Sequence, residues 1–440
     1  MSAMFRALGV RNYRLWFAGA LVSNTGLWMQ RIAQDWLVLT ELTDDDAAAV
    51  GITAALNFGP QLLLAPFAGV VADRVSRRAM LIITQATMMV LGVGLGLLTV
   101  TGAVELWMVF GFALALGIAS AFDAPARQAF VSELVPADRL GNAVALNATA
   151  FNAARLIGPA LAGVLVAAIG TGWVFFINAA TYLAVFAALA LLRRAEFTVL
   201  ARSPRSASGL IDGFRYVRGR SDLRLVLVMV FLVGMFGLNF ALFLATMVRI
   251  EFRGGPEVLG LVSSIMAIGS IAGALLAARS ERPRLRTITL SATGFGVGLV
   301  ACSLAPDLWL FVAAAVATGF ASLNLLTTAN AYVQTMTRPA YRGRVISLYL
   351  AVLFGGTPFG APLLGVIASA AGPRWAMAAG GLGCLLAAAI AAVYWARTRE
   401  VSLHFVRRRW PLRLRYGATA QARDLVSTEL AITEAETAKS

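Results

Sequence analysis

Apolar residues in this chain come in long blocks separated by short polar breaks. Stretches with few or no charges lie at residues 12–39, 48–72, 79–101, 104–124, 141–168 and 173–192, and again at 224–250, 258–279, 285–305, 307–330, 344–370 and 374–397. A helix needs ~20 residues to cross ~30 Å of hydrocarbon, where every backbone polar group must be bonded within the segment. The pattern predicts an all-α membrane protein of twelve transmembrane helices. With 59% apolar and 13% charged residues in a 440-residue chain, polar surface is too scarce for a soluble fold. The first block is too long, and its flank too poor in small-residue cleavage signals, for a secretory signal peptide, so it is expected to stay in the mature chain.

The blocks are written twice. Shifting the chain along itself by 202 residues (331 − 129) sets "AFVSELVPADRLGNAVAL" at Ala129 against "AYVQTMTRPAYRGRVISL" at Ala331 without a gap. The same shift pairs Ile157–Leu165 with Phe359–Ile367, and Trp173 with Trp375. Glycines and tryptophans held in one register across a loop and a span indicate a true repeat. The domains expected are a six-helix half at 1–192, a linker at 193–223, a second half at 224–397 and a tail at 398–440. Parallel repeats of this kind commonly form transporters, with the substrate site at the midplane between the halves and access alternating as the halves rock.

The net charge of +15 could suggest nucleic acid, but its placement gives another reading. All but one of the 37 basic residues are arginine, and they cluster after spans 2, 6, 8 and 10, whereas Glu41, Asp44, Asp45, Asp46, Glu105 and Asp307 mark the opposite loops. That is the positive-inside asymmetry. It predicts a multi-pass protein of the cell's inner (plasma) membrane with both termini cytoplasmic, and no nucleic-acid partner.

Catalytic chemistry has few residues to work with. His404 is the single histidine, and Cys302 and Cys384 sit in separate apolar spans. Ser/His/Asp, Cys/His and histidine-rich metal sites are thus excluded, and no P-loop occurs. No enzyme activity, metal or cofactor is expected. Any work must draw on a coupling gradient or on the substrate's own.

Between spans 2 and 3, "GVVADRVSRR" resembles the loop signature of the major facilitator superfamily, with Gly69, Asp73, Arg74, Arg77 and Arg78 in place and Ser76 where a glycine is usual. With the repeat and the span count, it identifies the chain as similar to that superfamily over about residues 5–397, implying the major facilitator fold of two six-helix pseudo-symmetric halves. The resemblance implies a cytoplasmic latch. Asp73 would face the N-terminus of span 11 near Tyr341 to Ser347, and a loop arginine would pair with an acid at the inner end of span 4, where Asp123 is available. The plainer alternative makes these arginines topology determinants only.

In span 5, "ARLIGPALAG" resembles the superfamily's antiporter signature through Gly158, Pro159 and Gly163, which implies export in exchange for protons. Small residues allow close helix approach and proline permits a bend, so tight packing alone is the other reading. The stretches Arg11 to Leu42, "FDAPARQAF" and "NAARLIGPALAG" together look like the enterobactin-exporter and macrolide-efflux branch, also described as transmembrane secretion effectors. That branch implies efflux of drugs, siderophores and other small amphiphiles.

Charges inside the spans mark function by default. Counted at ~1.5 Å per residue, Arg31 and Asp35 lie ~28 and ~34 Å along span 1, and Arg155 lies ~22 Å along span 5, in one outer layer of the first half. Asp35 is the candidate for proton exchange, with Arg31 and Arg155 tuning it; a permanent ion pair is the alternative. Trp28, Gln34, Asn239, Phe240 and Asn324 are the substrate-cavity candidates. Gly209 to Arg224 fits a helix on the inner membrane surface, and the basic stretch around Trp410 suits anionic lipid headgroups. Proton-coupled export of a small amphiphile thus leads, beside import or facilitated passage of a specific metabolite and a non-transporting sensor or assembly partner.

Overall fold

The computed structural model describes residues 3–197, 209–279, 283–338, 341–399, 402–405 and 412–415. Its first half contains α1 (Arg11–Leu37), α2 (Ala47–Arg74), α3 (Arg77–Val100), α4 (Leu106–Leu134), α5 (Leu140–Ile169) and α6 (Thr171–Leu191). A short helix, α7 (Gly209–Arg218), precedes a seventh span broken into α8 (Ser221–Leu232) and α9 (Phe240–Thr246). Then come α10 (Pro256–Ala278), α11 (Leu285–Leu304), α12 (Leu308–Met336), an eleventh span bent between α13 (Arg342–Gly355) and α14 (Thr357–Ala371), and α15 (Pro373–Arg399). Outside the bundle, Ser402–Phe405 and Leu412–Arg415 pair as a two-stranded antiparallel hairpin. The polybasic residues between those strands, Trp410 included, and the tail beyond 415 lie outside the described residues.

Among the described residues eleven spans are long and apolar enough to cross a membrane by length and composition. The twelfth is α1, which carries Asn24, Gln30, Arg31, Gln34 and Asp35 and buries all of them. It packs against α5 and α6, so its polar groups are shielded by protein.

The repeat reappears as geometry. Helices begin at 106 and 308, at 140 and 342, and at 171 and 373, each pair 202 residues apart. Gly170 and Gly372, again one repeat apart, both take positive φ (82° and 102°) where the chain reverses before α6 and α15. A side chain there would be strained. Within the first half α2 packs on α4, and α3 on α4 and α6; within the second, α10 and α11 pack on α12, and α11 on α15.

The halves meet through α2 with α14 and α5 with α10. Their tightest contacts lie at the end that carries the acidic loops. A Cβ on Gly51 would stand 2.4 Å from the Ala361 carbonyl oxygen, one on Gly365 would stand 2.6 Å from that of Ala47, and one on Gly163 would stand 2.3 Å from the Gly260 Cα. Polar contacts close the same rim: Arg249 Nε donates to Asp45 Oδ1 at 2.9 Å, and the Ser369 hydroxyl donates to Asp46 Oδ1 at 2.6 Å while accepting from the Ala48 amide at 2.9 Å.

Three boundaries depart from expectation, one of them α12, which runs to Met336, six residues past the expected end at 330. The fourth span continues to Leu134, ten residues past the expected end, because its charges Asp123 and Arg127 neutralise each other. Helix α7 stops at Arg218, and residues 221–224 instead open α8. Its Phe214 is exposed, but Val217 is buried and Tyr216 stacks on Tyr341 at 4.7 Å, so one face rests on the second half.

Candidate functional site

A cavity lined by both halves lies between them. The first half contributes Trp28, Arg31, Asp35, Asn57, Phe58 and Arg155 among others, and the second contributes residues from the α8–α9 break, α10, α12 and the α13–α14 bend. Trp28, Arg31, Ile32 and Asp35 fall at helical spacing on one face of α1, which turns that face to the cavity.

Glycine sets the geometry of the first wall. A Cβ on Gly158 would stand 2.6 Å from the Trp28 Cβ, so only glycine lets α5 lie this close to α1. One turn earlier on α5, Arg155 then reaches Trp28, with its Cζ 5.5 Å from the ring centroid. Arg31 Cζ lies 5.0 Å from the same ring and 4.4 Å from that of Phe58. Cation–π contact holds both guanidiniums. Pro159 lines the cavity, while Gly163 faces the other way, onto Gly260 of α10. The three antiporter-like positions thus serve three surfaces of one helix.

Asp35 is 5% exposed and Arg31 7% exposed. Among the described residues Arg31, Asp35 and Arg155 make no hydrogen bond and no ion pair with one another or with a neighbour. The permanent ion pair considered from the sequence is therefore not formed. Arg31 Nε, Trp28 Nε1 and Asn57 Oδ1 are buried without partners.

The remaining candidates divide. Asn239 and Phe240 line the cavity at the α8–α9 break, where Asn239 Nδ2 donates to the Met235 carbonyl at 2.7 Å. Gln34 points away from the cavity and donates to the Val109 carbonyl on α4 at 3.3 Å. Asn324 also points away: it accepts from the Ser291 hydroxyl at 2.8 Å and donates to the Gly273 carbonyl at 3.2 Å, tying α12 to α11 and α10. Both helices are covered on more than one side, and their polar groups chose the helix-facing one.

The latch departs from expectation where it can be seen. Arg77 Nη1 donates to Glu133 Oε1 at 2.9 Å and to the Ala129 carbonyl at 3.1 Å, and Arg78 Nη2 donates to the Leu189 carbonyl at 3.0 Å. The acid that meets the loop is Glu133. Asp123 is engaged elsewhere, one oxygen accepting from Arg127 Nε at 2.5 Å and the other from Thr84 Oγ1 and Gln85 Nε2 at 2.7 and 2.8 Å. Gly69 and the side chains of Asp73 and Arg74, with the expected contact of Asp73 to span 11, lie outside the described residues.

Sequence reasoning missed Arg127, since the fourth span was ended before it, and the cavity hydroxyls Ser263, Ser270 and Ser322. Serines at helical spacing on α10 were the available signal.

Comparison with known proteins places this geometry in context. Residues 3–437 match the family model described as transmembrane secretion effector. Curated relatives include a staphyloferrin A transporter of Staphylococcus aureus, 27% identical over 82% of this chain and 90% of the relative, and the multidrug efflux pump Tap of Mycolicibacterium fortuitum, 26% identical over 87% and 95%. An enterobactin exporter, EntS of Shigella flexneri, is 25% identical over 77% and 80%. Among solved structures, a bacterial homologue of the human lysosomal transporter Spinster in an inward-facing, unoccupied conformation superposes with a TM-score of 0.70 at 15% identity, covering 87% of this chain and 96% of that one. A D-xylose–proton symporter superposes at 0.69 and 14%, covering 87% and 97%.

Proposed function

The chain belongs to the transmembrane secretion effector family of major facilitator transporters, and from that premise we propose that it exports small amphiphilic compounds, of the drug or siderophore kind, by alternating access in exchange for protons. The observation that carries this reading is the cavity between the halves, into which the first half turns Asp35, Arg31 and Arg155 unpaired. Helices of a rigid scaffold could have paired these charges. Left open, they serve what enters.

In this reading Asp35 is the proton site. As a carboxylate it accepts hydrogen bonds, and a hydroxyl or amine of the substrate would supply the donor it lacks. Protonation removes its charge and turns one of its oxygens into a donor, so the group holds such a donor less well. Proton and substrate then oppose each other at one group, which is the sign an exchanger requires. The arginine-rich end faces the cytoplasm by the positive-inside rule, Asp73 and the loop arginines act as the cytoplasmic latch, and the basic residues after α15 rest on anionic headgroups.

Everted vesicles loaded with a pH gradient test the assignment. With ethidium, tetracycline and erythromycin as probes, Asp35→Asn is expected to lower gradient-driven uptake about tenfold or more, within the usual range for coupling between sites, and to leave gradient-independent exchange standing. Undiminished gradient-driven uptake would remove Asp35 from the proton path.

A further inference from the structure

The export reading leaves the charge of the cargo open, and the donors in the cavity bear on it. Arg31 and Arg155 both lie against Trp28, at 5.0 and 5.5 Å from its centroid. Stacking holds a guanidinium by its flat face and leaves its edge N–H groups, five donors and no acceptor, directed elsewhere. Among the described residues neither arginine finds an acceptor, and the buried Arg31 Nε and Trp28 Nε1 stand unbonded. Unmet donors here, the two guanidiniums and the Trp28 indole, outnumber the unmet acceptors, Asn57 Oδ1 and the Asp35 carboxylate. The charged cavity lining contains two cations and one carboxylate, which leaves it net positive with Asp35 ionised.

The same half shows what the chain does when it needs an arginine only for structure. Arg127 also lies over a ring, its Cζ 5.8 Å from the Trp16 centroid, and leaves Nη1 unbonded among the described residues, but it is held by an ion pair with Asp123 and a bond to the Ser23 hydroxyl. Arg31 and Arg155 have no such arrangement and open instead onto a space whose far wall is mostly apolar, with Phe240, Leu244, Met266 and Phe354, interrupted by Asn239 and the hydroxyls of Ser263, Ser270 and Ser322. A carboxylate or similar oxyanion matches an arginine fork in shape and charge, and an apolar body matches the far wall.

We infer that the cavity is built for an amphiphilic organic anion, a carboxylate, sulfonate or phenolate on an apolar body, docked with its head on Arg31 and Arg155 beside Trp28. The inference rests on the export reading and narrows its cargo. A donor group beside the acid, such as a hydroxyl, would at the same time serve Asp35.

Three probes that share one body decide it: 1-pyrenebutyrate, its methyl ester and the pyrenebutyl trimethylammonium cation, titrated into the full-length protein in lipid nanodiscs with empty discs as blank. The acid is expected to bind about tenfold or more tighter than the ester, the gain of a charge-assisted hydrogen bond, with the cation weakest. In Arg31→Gln and Arg155→Gln the acid-to-ester ratio should fall below about threefold, and Arg155→Lys, which keeps charge without the planar fork, should retain part of it. Monodisperse elution of each variant reports folding, and Arg155→Lys stands in if the glutamine variant misfolds. An ester or cation bound as tightly as the acid, a preference that survives both glutamine variants, or no binding of the acid to the parent protein would each overturn the inference.

Transport separates this failure from that of the export reading. Everted vesicles that move the ester or the cation without favouring the acid sink the anion site and leave export standing. Vesicles that move none of the three, nor ethidium, sink export, and the binding ratio still decides the head-group site.

Discussion

Arg31 and Asp35 are one turn apart on α1, and Asp123 and Arg127 are one turn apart on α4, yet the second pair closes to 2.5 Å and the first does not close at all. Order along the helix accounts for part of this. An acid placed four residues before a base complements the helix dipole and meets its partner readily, whereas the reverse order does so less well. Surroundings account for the rest. Thr84 and Gln85 reach Asp123 from α3, and Ser23 reaches Arg127 from α1, whereas Arg31 is drawn onto the faces of Trp28 and Phe58. One cluster fastens three helices together. The other leaves its charges to the cavity.

Stability should separate the two clusters most sharply. Asp123→Ala strips Arg127, Thr84 and Gln85 of their acceptor, and removing one partner of a buried pair costs about 3–5 kcal/mol. Thermal unfolding in detergent should show that loss, with the apolar double variant Asp123→Leu/Arg127→Met much closer to the parent. Asp35→Asn removes no bond and is expected to shift stability by less than about 1 kcal/mol. If both single variants fell alike, the contrast between fastening and functional charge would fail.

A smaller effect sharpens the comparison between the two faces of α5. Gly158 and Gly163 belong to one motif, but the first is pressed against α1 of its own half and the second against α10 of the other. Gly163→Ala places a methyl against Gly260 backbone that cannot rotate away, at a cost of about 1–3 kcal/mol charged to the state closed at the acidic end. That end should then open more often. A cysteine at Ser263, which lines the cavity, should react faster with an impermeant thiol reagent applied from the acidic end. An unchanged rate would mean that this contact does not hold the rim.

The parts of the molecule that were legible in the sequence are those written in spacing. Hydropathy gave the spans because lipid admits only internally bonded helices, and the 202-residue offset gave the paired halves because equal backbones need equal turns, down to Gly170 and Gly372. Depth along a helix put Arg31, Asp35 and Arg155 in one layer, and they do share one cavity. Facing was not legible. Gln34 is one residue from Asp35 and turns to α4, and Asn324 serves α10 and α11, because a helix buried on several sides has no single polar face for periodicity to find. The end of α4 was hidden for a related reason: Asp123 and Arg127 read as the edge of a span until their partners on other helices are known.

The smallest expected effect concerns a third pair, Asp45 and Arg249, which joins the halves across the acidic rim at 2.9 Å with both side chains more than a third exposed. Asp45 sits at φ 59°, a conformation that asparagine adopts nearly as well, so Asp45→Asn removes the charge without adding backbone strain. An exposed pair contributes about 0.2–1 kcal/mol and is screened by salt. The variant should therefore raise thiol labelling at the Ser263 position by no more than about fivefold at low ionic strength, and by almost nothing at ~1 M salt, where the parent's own bridge is screened. The glycine contact beside it should not respond to salt, because it rests on shape. Equal salt dependence in Gly163→Ala and Asp45→Asn would show that the rim is held by charge throughout, and that the close packing of α5 on α10 follows from closure and does not cause it.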